Sequence, residues 1–248
     1  MMFKGLICLT VFMIWHLPAY AALSDSINKV KPAIVAIGVY NPLGAPRVRL
    51  VGTGFAVADG NKIVTNYHVV APALNTAENE SYVVLSGTAD QVKVHPILTR
   101  KIEPAYDLAV LTIQDRLTAV TLSTSALRAE GTEVAFTGFP ITAVLGLYPA
   151  THRGIVSAHT PVAIPADNSG QLQAAALRKL RQPYLVYQLD ATAYPGNSGS
   201  PLYDANTAEV IGIVNKVYVK STREAVLSDP SAISYAIPVA FLLPLLEP

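Results

Sequence analysis

Three short stretches of this 248-residue chain hold side chains that acyl-transfer chemistry needs. Thr65-Asn66-Tyr67-His68-Val69-Val70 supplies an imidazole and Tyr106-Asp107-Leu108-Ala109-Val110 a carboxylate. Gly196-Asn197-Ser198-Gly199-Ser200-Pro201-Leu202 supplies a hydroxyl. A serine hydroxyl is a poor nucleophile near neutral pH and needs a base; imidazole titrates in the useful range. A carboxylate on the other ring nitrogen fixes the tautomer and stabilises the imidazolium. The chain order His, Asp, Ser is that of a hydrolytic triad built across two β-barrels.

Each residue sits in a local setting that suits its role. Gly196 and Gly199 flank Ser198 and permit a tight turn. That turn would aim the N–H groups of Gly196 and Ser198 at one point, an oxyanion hole for the tetrahedral intermediate. His68 follows the short apolar strand Ile63-Val64-Thr65, where the strand gives way to a turn. Asp107 opens the strand Leu108-Ala109-Val110-Leu111, a place where a carboxylate is partly buried and needs a partner. Outside the first 21 residues the other histidines are His95, His152 and His159, which read as structural.

Positioning these groups falls to short β-branched runs broken by Gly, Pro or Asn. A first group covers 33–39, 50–57, 62–65, 82–85, 91–98 and 108–113. A second covers 133–137, 154–159, 184–189, 201–203, 210–215 and 233–237. Two groups of six short strands predict an all-β fold of two antiparallel six-stranded barrels with the active site in the cleft between them. The expected division is a leader over 1–21, a first barrel over 22–116, a linker over 117–130 and a second barrel over 131–248. Residues 168–182 read as an inserted helix with Leu172, Ala176, Leu177 and Leu180 on one face and Pro183 as its stop. It is either a surface excursion or an element that contacts substrate. Residues 238–246 read as a short C-terminal helix.

Composition narrows the class. Eighteen basic against seventeen acidic residues leave a net charge of +1, which argues against nucleic acid as a partner. Lys4, an apolar run from Gly5 to Leu17 and the small-x-small triplet Ala19-Tyr20-Ala21 read as a secretory signal peptide. Once it is removed, no stretch is long enough to span a bilayer. The one cysteine, Cys8, lies inside that leader, so the secreted chain would have no disulfide. This fits the periplasm of a Gram-negative bacterium. No metal site and no cofactor are expected.

Thr-Asn-x-His-Val-Val, Asp-Leu-Ala-Val-Leu, Gly-Asn-Ser-Gly and Ser-Tyr-Ala-Ile-Pro (234–238) together resemble the chymotrypsin-like serine protease superfamily, within it the bacterial HtrA/Deg branch. The resemblance covers nearly all of the chain beyond the leader. It implies a periplasmic endopeptidase with His68 and Asp107 on the first barrel and Ser198 on the second. It also implies a primary specificity pocket lined by Ala191–Tyr194, Val214, Asn215, Lys216, Val217 and Ile233. Thr192 stands where trypsin-like enzymes carry an aspartate, so cleavage after Lys or Arg is not expected. Ile233 would narrow the pocket floor and favour Val, Ala or Thr. Asn215-Lys216-Val217 would offer an edge strand to an extended or unfolded polypeptide.

The chain also departs from the family. With Pro248 as its last residue it leaves no room for a PDZ domain, which puts peptide-triggered oligomer control in doubt; oligomeric state stays open. Ser200 replaces the usual second glycine. Asn197 replaces the aspartate that receives a new N-terminus in trypsin-type zymogens, so leader removal alone should suffice. Whether the resting loop 193–197 is assembled stays open.

Two rivals remain to be weighed. An α/β-hydrolase esterase needs Gly-x-Ser-x-Gly and the order Ser, acid, His; here the fifth position is Ser200 and the order is reversed. A catalytically silent or chaperone-like protein of the same fold would hold exposed strands, but has no need of His68 or Asp107.

Overall fold

The computed structural model describes residues 23–88, 91–125, 127–141, 146–161, 184–215 and 233–247. The leader, the helix expected over 168–182, Lys216 and Val217 lie outside them, as does the side chain of Ile233.

The strand-rich sequence folds into two antiparallel β-units. In the first, β1 (Ile34–Tyr40), β2 (Val48–Val57), β3 (Lys62–Asn66), β4 (Ser81–Ser86), β5 (Lys93–Pro96), β6 (Thr99–Glu103) and β7 (Leu108–Thr112) form one sheet. Their order is β5-β4-β1-β2-β3-β7-β6. In the second, β8 (Glu133–Gly138), β9 (Ala150–Pro161), β10 (Leu185–Asp190), β11 (Pro201–Asp204), β12 (Val210–Val214) and β13 (Ile233–Pro238) close into a barrel, in the order β10-β13-β12-β11-β8-β9. This is the chymotrypsin-type architecture.

The first unit differs from the six-stranded barrel expected. The run 91–98 does not stay one strand: β5 ends at Pro96, whose ring nitrogen cannot donate to a ladder, and the chain resumes as β6. The sheet therefore has seven strands and is not closed. Its edge strands β5 and β6 are joined by Ile97 and Leu98 alone, so the sheet must curl until those edges nearly meet.

Among the described residues helices are few and short. The sequence reading missed α1 (Leu23–Val30), although Leu23, Ile27 and Val30 follow its i, i+4, i+7 face. Ser26 Oγ on α1 donates to Ala205 O at 2.8 Å, tying this helix to the second barrel. One helical turn, α2 (Tyr67–Val70), follows β3. The expected C-terminal helix is a 3₁₀ turn, Val239–Phe241, followed by α3 (Leu243–Leu246). No helix among the described residues is long and apolar enough to cross a membrane.

One apolar cluster runs through both units, from Phe55, Val64 and Leu108 to Phe139, Tyr203, Val210 and Ile237. The segment between the units is hydrogen-bonded to each of them. Val120 N–H donates to Ala56 O at 3.0 Å, and Ser123 N–H to Val210 O at 2.8 Å. The cleft between the two units is thus held from both sides.

Candidate active site

Sheet register places the imidazole against the carboxylate. β3 and β7 pair with Asn66 opposite Leu108, so the residues just beyond them, Tyr67 and Asp107, are also opposed. Tyr67 N–H donates to Asp107 O at 3.0 Å and Asn66 Nδ2 to the same oxygen at 3.1 Å. Asp107 bends the chain with φ of +52°, a left-handed conformation that aspartate tolerates better than most residues. Its carboxylate then faces α2. Oδ1 accepts the His68 backbone N–H at 2.8 Å, and Oδ2 meets His68 Nδ1 at 2.6 Å. A carboxylate only accepts, so Nδ1 carries the proton, and in the neutral ring Nε2 keeps its lone pair. The His68 side chain is 37% exposed and can be reached from solvent.

Three aromatic rings cluster near Asp107. Tyr106 stacks on Phe241 at 4.5 Å and meets Tyr184 edge-on at 4.9 Å; Tyr184 and Phe241 are 4.8 Å apart. Burial pushes the Tyr184 hydroxyl up to about 12, with smaller contributions from the Asp107 charge and from Tyr106. This trio joins β7's approach, β10's approach and the C-terminal segment. Its members are too far apart in sequence for spacing to reveal it.

The hydroxyl rests on two successive turns. Asn197 N–H donates to Tyr194 O at 3.0 Å, with Pro195 second and Gly196 third at φ of +102°. Ser200 N–H donates to Asn197 O at 3.0 Å, with Ser198 second and Gly199 third at φ of +87°. A left-handed third residue is what a type II turn requires, and glycine fills that place both times. At Gly199 a Cβ would also collide with the Thr53 carbonyl.

Orientation of the Pro195–Gly196 peptide follows from one bond. Ile141 N–H donates to Pro195 O at 2.7 Å, and in a trans peptide the Gly196 N–H must point the other way. Neither the Gly196 nor the Ser198 N–H has an acceptor among the described residues. Both are free to donate to an anionic oxygen.

Thr53 on β2 fastens this loop to the first unit. Its N–H donates to Ser198 O at 2.9 Å and its Oγ1 to Gly196 O at 2.7 Å. That Oγ1 also accepts the Phe139 N–H at 3.0 Å, while Thr65 Oγ1 donates to Thr53 O at 2.7 Å. Next to it, Gly52 separates the Ser198 carbonyl from Val69, His68's neighbour. A Cβ there would lie 2.7 Å from Val69 Cγ1 and 3.3 Å from Ser198 O. β2 therefore spans the gap between imidazole and nucleophile loop. Ser198 Oγ itself makes no hydrogen bond among the described residues. Neither Thr53 nor Gly52 stood out in the sequence, because each acts only through partners on other elements.

The residues on either side of the Ser198–Gly199 pair, Asn197 and Ser200, are buried and polar. Asn197 is fully buried; its Nδ2 lies 3.5 Å from His152 Nε2 and its Oδ1 has no partner. His152 stacks on Phe136 at 4.9 Å, and burial holds its ring below the ordinary histidine range. Ser200, buried too, packs over Gly138, where a Cβ would collide with its Oγ.

The residues expected to contact substrate are placed unevenly. Thr192 lies between two peptides that Ser234 pins: Ser234 Oγ donates to Ala191 O at 2.7 Å and accepts Ala193 N–H at 2.9 Å. The Val214 side chain is buried in the barrel core. Its backbone serves the nucleophile loop, accepting Gly199 N–H at 3.0 Å and donating to Ser200 O at 2.9 Å. Asn215 N–H donates to Tyr235 O at 2.9 Å. Ile233 pairs with Asp190 in the β10–β13 ladder.

The chain is similar to known proteins. The family model described as "Trypsin-like peptidase domain" matches residues 52–213. The magnetosome formation protease MamE of Magnetospirillum gryphiswaldense is 32% identical over 87% of this chain and 25% of its own. The mitochondrial serine protease HTRA2 of Bos taurus is 32% identical over 88% of this chain and 41% of its own. A probable periplasmic serine endoprotease, DegP-like, of Hahella chejuensis is 30% identical over 81% and 35%. Among solved structures, Deg5 superposes with a TM-score of 0.62 at 25% identity, covering 89% of this chain and 90% of that one. The chain spans only a quarter to about two fifths of the length of those curated relatives.

Proposed function

This chain belongs to the trypsin-like peptidases and is homologous to the HtrA and DegP serine proteases, and from that premise we propose a working mechanism and substrate for it. His68 Nε2 takes the Ser198 proton as Oγ attacks a peptide carbonyl. The Gly196 and Ser198 N–H groups receive the oxyanion. Asp107 holds the imidazolium, which then protonates the leaving amine, and water releases the acyl group by the same steps. The observation that carries this reading is the double grip of Asp107 on His68, one oxygen on the ring and one on the backbone.

The substrate we infer is extended or unfolded polypeptide cut after a small aliphatic residue. Thr192 brings no carboxylate to the pocket, which speaks against Lys or Arg before the bond. Residues 215–217 would pair with the substrate backbone. Secretion to the periplasm is supported by the leader-like first 21 residues and by the DegP-like relatives named periplasmic; other relatives are named mitochondrial or magnetosomal.

A second reading, a silent binding protein of the same fold, draws on the free Ser198 hydroxyl. Catalytic hydrogen bonds are often long in the unliganded state and tighten with substrate, which favours the enzyme. A fluorophosphonate probe separates the two. Labelling of the wild type that disappears in Ser198→Ala supports the peptidase, and no labelling at any pH supports the binding protein.

A further inference from the structure

Beyond β13 the chain turns back across the seam onto the first unit. Val239 and Leu242 are buried in the core that both units share, and α3 packs against β6 and β7. Lys101 Nζ on β6 donates to Glu247 O at 2.5 Å. Between these anchors the Phe241 ring lies on the Tyr106 ring, with centroids 4.5 Å and planes 30° apart. Tyr106 directly precedes Asp107. We propose that Phe241 is a positioning residue: through Tyr106 it keeps Asp107 in the backbone conformation from which the carboxylate reaches His68. The effect on rate rests on the peptidase reading; the effect on the His68–Asp107 bond does not.

Backbone conformation supplies the first argument. With φ of +52° Asp107 sits in a region that L-residues disfavour and aspartate tolerates. Such a residue keeps its conformation only while the chain on each side of it is held. On the far side the holds are polar. Asp107 O accepts from Asn66 Nδ2 and Tyr67 N–H, and the carboxylate meets His68. On the near side β6 ends at Glu103 and a turn follows. Its bonds are Tyr106 N–H to Glu103 O at 3.1 Å and Asp107 N–H to Pro104 O at 3.3 Å, the second longer than usual. The Tyr106 ring gives this side an apolar anchor. Without it the Tyr106–Asp107 peptide can turn, and the carboxylate shifts with the relaxing backbone.

Ring geometry supplies the second. Tyr184, at the entry to β10, meets Tyr106 edge-on at 4.9 Å and 81°, and lies 4.8 Å from Phe241. Stacked and edge-on arrangements are the attractive ones for aromatic pairs, so Tyr106 is gripped from two directions. Phe241 touches both other rings, and its loss opens the trio. The Asp107 charge adds, after burial, to the upward push on the Tyr184 hydroxyl, so the trio lies within electrostatic reach of that carboxylate. Topology supplies the third. Thr53 of the first unit holds the Ser198 loop of the second. Phe241 and Tyr184 of the second unit return that hold on Asp107 of the first.

Phe241→Leu keeps apolar bulk and removes the ring, whereas Phe241→Tyr keeps the ring. On a peptide that the wild type cuts, Phe241→Leu should lower kcat at least about tenfold with KM little changed, and Phe241→Tyr should match wild type. In proton NMR the His68 Nδ1 proton, donated to Asp107 Oδ2, gives a far-downfield signal, recognised by its loss in His68→Gln. Phe241→Leu should broaden it or move it upfield, and Phe241→Tyr should leave it. The His95 Nδ1 proton, on Asp115 Oδ2 at 2.6 Å, is the control and should stay in place throughout. Tyr106→Leu breaks the same stack from the other side and should give the same pattern, which keeps the test open if Phe241→Leu does not fold. An unmoved His68 signal with unchanged kcat in either folded Leu variant overturns the proposal. So does a shift of the His68 and His95 signals together, the mark of general loosening. A selective His68 shift in a protein whose wild type cuts no peptide supports the positioning role and contradicts the peptidase reading instead.

Discussion

Thr53 holds the Ser198 loop by bonds that no other side chain among the described residues duplicates. Its Oγ1 links Gly196 O and Phe139 N–H. Thr53→Val keeps the shape and strands both groups, at a cost of about 1–3 kcal/mol where they are buried. Because Gly196 carries one proposed oxyanion donor, the loss should fall on kcat. The expectation is a drop of roughly ten- to hundredfold with KM little changed, restored by Thr53→Ser. Steady-state kinetics of the two variants check it. His152 offers a second test at this scale. Burial lowers its pKa from the ordinary 6.5, so below that pH the unfolded chain binds a proton that the folded one refuses. Stability is then whole above pH 6.5 and is lost as pH falls toward the depressed value. His152→Gln removes this linkage, and its melting temperature should depend less steeply on pH just below 6.5.

Elements decide which histidine can meet a substrate. His95 on β5 shares one feature with His68, an Nδ1 on a carboxylate (Asp115 Oδ2 at 2.6 Å), and adds a bond that His68 lacks among the described residues, Nε2 on Ser86 Oγ at 2.7 Å. Lys93, ahead of His95, holds the Asp115 carboxyl below its ordinary range by a hydrogen bond. Yet the His95 side chain is 1% exposed against 37% for His68. No substrate can reach its outer nitrogen, so these residues staple the β4–β5 hairpin to the segment after β7. His95→Ala should lower stability by about 2–3 kcal/mol, the cost of a buried void plus an unpaired polar group. Activity per folded molecule should not change; denaturant melts beside active-site titration measure both. The sequence could not separate these histidines by residue type. It separated them by setting: His68 stands at a strand end before a turn, His95 inside a strand. The strands themselves were legible because each is a short β-branched run. Where a strand was misread, over 91–98, the proline inside it was the overlooked signal. The helix α1 was missed although its apolar spacing is regular.

At the scale of the whole molecule, the candidate residues are held on facing units because the two units share one core and one strand, β2, spans their seam. His68 and Asp107 come from the first unit and Ser198 from the second; the residue order in the chain already implied that division. The parts that hold them together, Thr53, Gly52, Gly138 and the ring trio of Tyr106, Tyr184 and Phe241, could not be read in advance. Each is defined by a contact across dozens of residues, and no local pattern records such a contact. The central claim is that these units bring Ser198 under the His68–Asp107 pair well enough to cut polypeptide. The most direct test is the initial rate of cleavage of a disordered protein substrate by wild type and by Ser198→Ala at equal folded concentration. Wild-type cleavage that falls by at least about 10⁴-fold in the variant is the predicted result. A variant that cuts as fast as wild type, or a wild type that binds the substrate and leaves it intact, contradicts the account.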